Sequence, residues 1–105
     1  MPYFDHEQLI CYQLGLDVAR ELAITSFPRG EAQLKDQAVR ASRSVVLNIA
    51  EGRARGGQAG RNHYRIAHGS AAETSAALDL SRIRGAAPLQ KKLRRIGSLL
   101  SGLIH

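Results

Sequence analysis

Four stretches of this chain place an apolar or small residue every three or four positions, and none alternates apolar with polar. The last holds Leu89, Leu93, Ile96, Leu100 and Leu103, and the third Tyr64, Ala67, Ala71, Thr74 and Leu78. The second holds Leu34, Ala38, Ala41, Val45, Ile49 and Gly52, and the first Leu9, Tyr12, Leu16, Ala19 and Ala23. At about 100° per residue each set collapses onto one stripe of an α-helix. Three-four spacing is the seam of helices that cross at a shallow angle.

Punctuation separates the stretches. Asp5 is an N-cap candidate with Gln8 three residues on, and Phe4 and Leu9 stand where a hydrophobic staple would clamp the entry. Pro28 and Gly30 close the first segment, and the second starts near Glu31 and runs to the "RGGQAG" glycines, read as a loop. The third spans about Arg61 to Arg84, Gly85 ends it, and Pro88 suits the first turn of a fourth. Short connections make successive helices antiparallel, so the expected fold is all-α, an up-down four-helix bundle filling residues 1–105 as one domain. With five residues in a hundred aromatic and no tryptophan, the core must come from Leu, Ile, Val and Ala.

Each of the first three helices carries a second apolar stripe. Helix one adds Cys11, Leu14, Val18 and Leu22; helix two adds Val39, Val46 and Ala50; helix three adds Ile66, Gly69, Ala76, Ala77 and Leu80. Left in water, patches of this size point to a partner. The sequence therefore predicts a homo-oligomer joined through Leu14, Val18, Leu22, Val39, Val46, Ala50, Ile66 and Leu80, with helix four outside.

Charge points to a polyanion. The formal net charge is +6, yet residues 1–28 hold one basic and four acidic side chains, whereas residues 85–105 hold four basic and none acidic. Arg53, Arg55, Arg61 and Arg65 flank the glycine loop, and Lys91, Lys92, Arg94 and Arg95 form "KKLRR" on the back of helix four. Such groups neutralise phosphates and release counterions without reading sequence. Exposed aromatics for base stacking are few.

Signatures of catalysis are missing. His63 and His68 stand five apart, about 140° around a helix, where chelation needs three or four; they read as solvated groups or phosphate contacts. Ser70 lacks a nucleophile elbow, and "GGQAGR" lacks the Lys-Ser/Thr ending of a P-loop. Cys11 lies on an apolar stripe and reads as a small buried hydrophobe. Glu51 and Glu73 read as carboxylates paired with arginine, and Asn48 as a buried polar group that fixes register. No apolar run reaches membrane length, "MPYFDHEQL" lacks a signal-peptide pattern, and a lone cysteine suits the cytoplasm. The expectation is a non-enzyme with no metal and no cofactor.

"QAVRASRSVVLNIAEGRAR" followed by "HYRIAHGSAAETSAALDLS" resembles the small four helix bundle protein family, which includes proteins encoded in intervening sequences of bacterial 23S ribosomal RNA genes. The matching elements are Arg40-Ala41-Ser42, Ser44, Asn48 to Gly52, and Ile66-Ala67 with Gly69-Ser70 and Glu73. A relative is the accessory variability protein of diversity-generating retroelements. The resemblance implies an antiparallel bundle assembling as a ring, in known relatives a homopentamer, with a positive surface. It makes Asn48, Glu51, Gly69, Ser70 and Glu73 the family's motif residues here, with a structural role. It also implies nucleic acid as a partner and, beside a retroelement, a reverse transcriptase. The leading expectation is a cytoplasmic, homo-oligomeric bundle that binds RNA through its phosphates. The alternative is a scaffold whose basic surface meets an acidic protein.

Overall fold

A computed structural model of the chain describes residues 4–105. A single 3-10 turn, Asp5–Gln8, precedes four helices: α1 (Ile10–Ile24), α2 (Ala32–Arg55), α3 (Gly57–Leu80) and α4 (Ala87–Ile104). Among the described residues there is no strand. Each helix packs on two neighbours, α1 on α2, α2 on α3, α3 on α4 and α4 on α1, while the diagonal pairs do not meet. This is the antiparallel four-helix bundle.

Three boundaries differ from the sequence expectation. Asp5 does not cap α1. The capping carboxylate belongs to Glu7, whose Oε2 accepts the Phe4 amide at 2.8 Å. The 3-10 turn then ends at Leu9, which is extended (ψ 128°), and α1 starts one residue later. The glycine loop shrinks to one non-helical residue. Gly56 (φ 66°, ψ 178°) reverses the chain and Gly57 (φ 57°) opens α3. Both sit in the left-handed region that glycine enters without steric cost. At its far end α3 stops at Leu80, so Ser81–Arg84 lie outside it.

A close approach explains how two 24-residue helices fold back over one residue. A Cβ on Gly60 would stand 2.5 Å from the Gly52 carbonyl oxygen, and one on Gly52 would stand 2.6 Å from the Tyr64 ring. Only hydrogen fits at either place. The α2–α3 hairpin is the spine of the bundle, and the shorter α1 and α4 lie along it.

The core holds Leu22, Ile49, Ile96 and Leu100, all fully buried. Each contributes about 1.5–3 kcal/mol by leaving water. Buried hydroxyls are satisfied locally: Ser42 donates to the Val39 carbonyl and Thr74 to the Ser70 carbonyl. The stripes assigned to α2, α3 and α4 do face this core. On α1 the assignment reverses.

Val18 (1% exposed) and Leu22 (0%) belong to the chain's own core, together with Cys11 and Gly15. Neither is available to a second copy, and Leu14 and Val39 pack half-buried against the same core. The reason is α2: Gly15 presses on Val45 and Val46, a Cβ there standing 3.4 Å from Val45 Cγ1. That fit turns the Cys11–Gly15–Val18–Leu22 stripe inward and leaves Ala23 outside. Val46 is buried as well and Ala50 half-buried. Of the eight interface candidates, only Ile66 (52% exposed) and Leu80 (72%) stand in solvent.

The end of the bundle opposite the hairpin is fastened by one carboxylate. Glu31, buried although charged, accepts the Ser81 hydroxyl through Oε1. Its Oε2 takes the Arg82 amide and the Arg82 Nε, both at 3.0 Å. Arg82 also donates to the Arg29 carbonyl. These bonds tie the α1–α2 loop to the α3–α4 link across 50 residues of chain. The Ser81 bond first, then the Arg82 amide, hold the Glu31 carboxyl below its ordinary pKa.

Candidate nucleic-acid interface

A groove lies on each side of α3, one against α2 and one against α4, each opening into a recess, and some of the site residues line them. In the α2–α3 groove a chain of hydrogen bonds joins the helices. Ser70 Oγ and Ser44 Oγ are 2.8 Å apart, and Asn48 Nδ2 donates to the Ser44 carbonyl (2.9 Å) and hydroxyl (3.1 Å). A carbonyl can only accept, so the Asn48 amide nitrogen must face it and its Oδ1 is left to accept. Oδ1 lies 2.9 Å from His63 Nδ1. His63 therefore donates this bond through Nδ1–H.

That link was not legible in the sequence, where His63 reads as a solvated group or phosphate contact. It is a polar strut between helices. The Gly52–Gly60 approach sets the register that brings Asn48 and His63 level.

Glu51 is occupied on the same side. Its Oε2 accepts Arg55 Nε at 2.7 Å, and that bond, followed by the charge of Arg55 and then of His63, keeps its carboxyl below the ordinary value. Glu73 is not buried. It stands exposed at the mouth of a recess of about 350 Å³ that Arg40, Ser44 and Ser70 also line. Its expected arginine partner is not there, because Arg40 pairs with Asp36 at 3.1 Å. Gly69 is exposed, with open space where a Cβ would be.

The eight basic candidates do not form one patch. Arg53, Arg55, Arg61 and Arg65 gather at the hairpin end. Arg55 is neutralised by Glu51, and Arg53 lies beside the Tyr64 phenol, whose pKa burial pushes up and Arg53 partly restores. Arg61 and Arg65 are held by amides, Arg61 donating to Gln58 Oε1 (3.0 Å) and Arg65 to Asn62 Oδ1 (2.9 Å). An amide orients a guanidinium without cancelling its charge. On α4, Lys92 lies 3.8 Å from Asp17 of α1, whereas Lys91, Arg94 and Arg95 are exposed. The described ion pairs thus subtract Arg55 and Lys92 from the field and leave the other six.

Within "GGQAGR", Gly57 to Gly60 are already the first turn of α3 rather than a loop, and the Gly60 amide is bonded to the Gly56 carbonyl. Cys11 is buried, and burial raises its thiol pKa, which keeps it in the unreactive form. Among the described residues, no three His, Cys, Asp or Glu side chains gather as metal ligands, and no helix is long and apolar enough to cross a membrane.

A bundle with internally bonded polar residues along one groove and uncompensated cations along the other is a helical scaffold with a basic surface. The chain belongs to the 23S rRNA-intervening sequence protein family, whose model matches residues 7–102. A search of curated proteins gives no match to it.

Proposed function

We propose that this protein is a non-enzymatic, cytoplasmic, homo-oligomeric bundle that binds nucleic acid, RNA in the first place, through phosphate contacts without sequence preference. The observation that carries the reading is the set of six cations, Arg53, Arg61, Arg65, Lys91, Arg94 and Arg95, that no described carboxylate neutralises on a chain of net charge +6. The family's description, which refers to ribosomal RNA, favours RNA over DNA. The non-enzyme reading is supported by Ser44, Asn48, His63 and Ser70 serving as a strut between two helices and by the burial of Cys11.

Self-assembly rests on the outer side of the α2–α3 hairpin, where Leu47 (65% exposed), Ile66 and Leu80 stand in water. A ring would repeat each basic patch, and avidity would supply what one copy lacks. Five subunits follow from the family resemblance. Sedimentation at micromolar concentration should give a multiple of 11.4 kDa; a monomer would exclude assembly.

Binding is tested with a structured RNA hairpin titrated across salt. Affinity should fall by about 10³-fold or more between 50 and 200 mM if six phosphates are neutralised. No binding at about 50 mM salt would remove the reading.

A further inference from the structure

We infer that the outer groove between α3 and α4 is the path of the RNA phosphate backbone, and that His68 and His105 are phosphate contacts within it, so that binding strengthens as pH falls. This rests on the nucleic-acid reading above. It names a site that includes two histidines and leaves out Arg55 and Lys92.

Spacing and register carry the argument. On α3, Arg61, Arg65, His68 and Ala72 follow four-three-four spacing and share one face. On α4, Arg94, Gly97, Ser101 and His105 follow three-four-four spacing and share another. Two contacts show that these faces meet. Gln90 Nε2 donates to the Ser75 carbonyl at 3.0 Å, and a Cβ on Gly97 would stand 3.7 Å from His68 Nε2. In that antiparallel register Arg94 lies level with Ala71 and Ala72, and His105 lies level with Arg61. Of the two basic groups, Arg61 and Arg65 from the first and Arg94 from the second border this one groove.

The groove has room for a ligand. At its hairpin end a recess of about 330 Å³ is lined by Arg65, His68, Ser101, Ile104 and His105. Ala72, Gly97 and Ser101 are too small to fill the space between the helices, so a backbone can approach closely. From Arg61 to Ala72 the face extends about 16 Å, close to five nucleotide steps of one strand at about 3.4 Å each.

Charge decides what would fill it. The groove's nearest carboxylate on α3, Asp79, is three turns from His68 and already accepts Gln90 Nε2 at 2.9 Å. Glu73 opens on the α2 side instead. Around His68 the charged groups are Arg61 and Arg65 on its own helix, and Arg94 and His105 from α4. From α2, Arg53 approaches the Tyr64 phenol on the same helix, and Glu51, on the far side of α3, is held by Arg55. The carboxyl end of α4 offers the cations only about half an elementary charge. That is too little for the three guanidinium groups of Arg61, Arg65 and Arg94, so the groove stays positive. Imidazole is the side chain that gains charge between about pH 8 and pH 5.5, and here each added charge would face a phosphate.

The test uses the full chain and an RNA hairpin of about 16 base pairs. Affinity should rise on the order of tenfold between about pH 8 and pH 5.5, with a salt slope steeper by about one unit per imidazole engaged. The double variant His68→Gln, His105→Gln should bind normally at high pH and lose that rise, and Arg65→Gln should bind more weakly at both. In wild-type protein, RNA should shift the imidazole NMR signals of His68 and His105 and spare His63. Steep salt dependence with no pH response, or a pH response intact in the double variant, would overturn this site while the nucleic-acid reading stands. A shift confined to His63 would do the same. No RNA binding at low salt would end both.

Discussion

The two grooves beside α3 are built from the same kinds of residue, arginine, serine and histidine, and do opposite things. Toward α2, three polar pairs form within the chain, Ser70 with Ser44, Asn48 with His63 and Arg55 with Glu51, and Glu73 stands exposed at the mouth. Toward α4, Arg61 and Arg65 meet only neutral amides, and no described carboxylate pairs with Arg94. One groove is bridged by hydrogen bonds that fix the bundle's register. The other keeps its charge for something outside. Residue type does not tell them apart; the partner does.

Glycine gives the hardest test of that contrast. Gly60→Ala drives a methyl group against the Gly52 backbone, which cannot turn aside, so it should cost about 2–3 kcal/mol and lower the urea midpoint. Gly97→Ala in the other groove meets His68 at an ordinary 3.7 Å. It should be neutral or gain up to about 1 kcal/mol from helix propensity. Equal effects at the two positions would erase the distinction between a packed groove and an open one.

A smaller effect comes from the polar strut. Asn48→Ala leaves the His63 Nδ1–H without its acceptor, while the Ser44 hydroxyl keeps its bond to Ser70, a loss of about 1–2 kcal/mol. Ser101→Ala across the molecule should stay within about 0.5 kcal/mol. Thermal unfolding of the two variants side by side checks both values.

The smallest effect is acid sensitivity where Glu31 ties the α1–α2 loop to the α3–α4 link. Glu31 titrates below its ordinary 4.5 when folded, so the unfolded chain binds its proton first as pH drops. Its contribution is complete above about pH 4.5 and fades as pH falls through the lower folded value. The wild-type protein should therefore lose more stability than Glu31→Gln over that range. Parallel acid profiles would show that the Ser81 and Arg82 bonds contribute nothing.

The sequence by itself determined four helices, their antiparallel order and the inward faces of α2, α3 and α4, because a 3.6-residue period and its glycine and proline breaks are local properties. It also carried the family, in the Asn48–Gly52 and Ile66–Glu73 elements. It did not determine which stripe of α1 faces in. Cys11–Val18–Leu22 and Tyr12–Leu16–Ala19 have the same period, and only the seating of Gly15 on Val45 and Val46 chooses between them. Nor could it show which cations stay free, since Asp17 reaches Lys92 and Glu31 reaches Arg82 only after the helices pack. Register, set by glycine against backbone at one end and by Glu31 at the other, is a tertiary quantity. It is what bonds His63 to Asn48 and places His68 beside arginines.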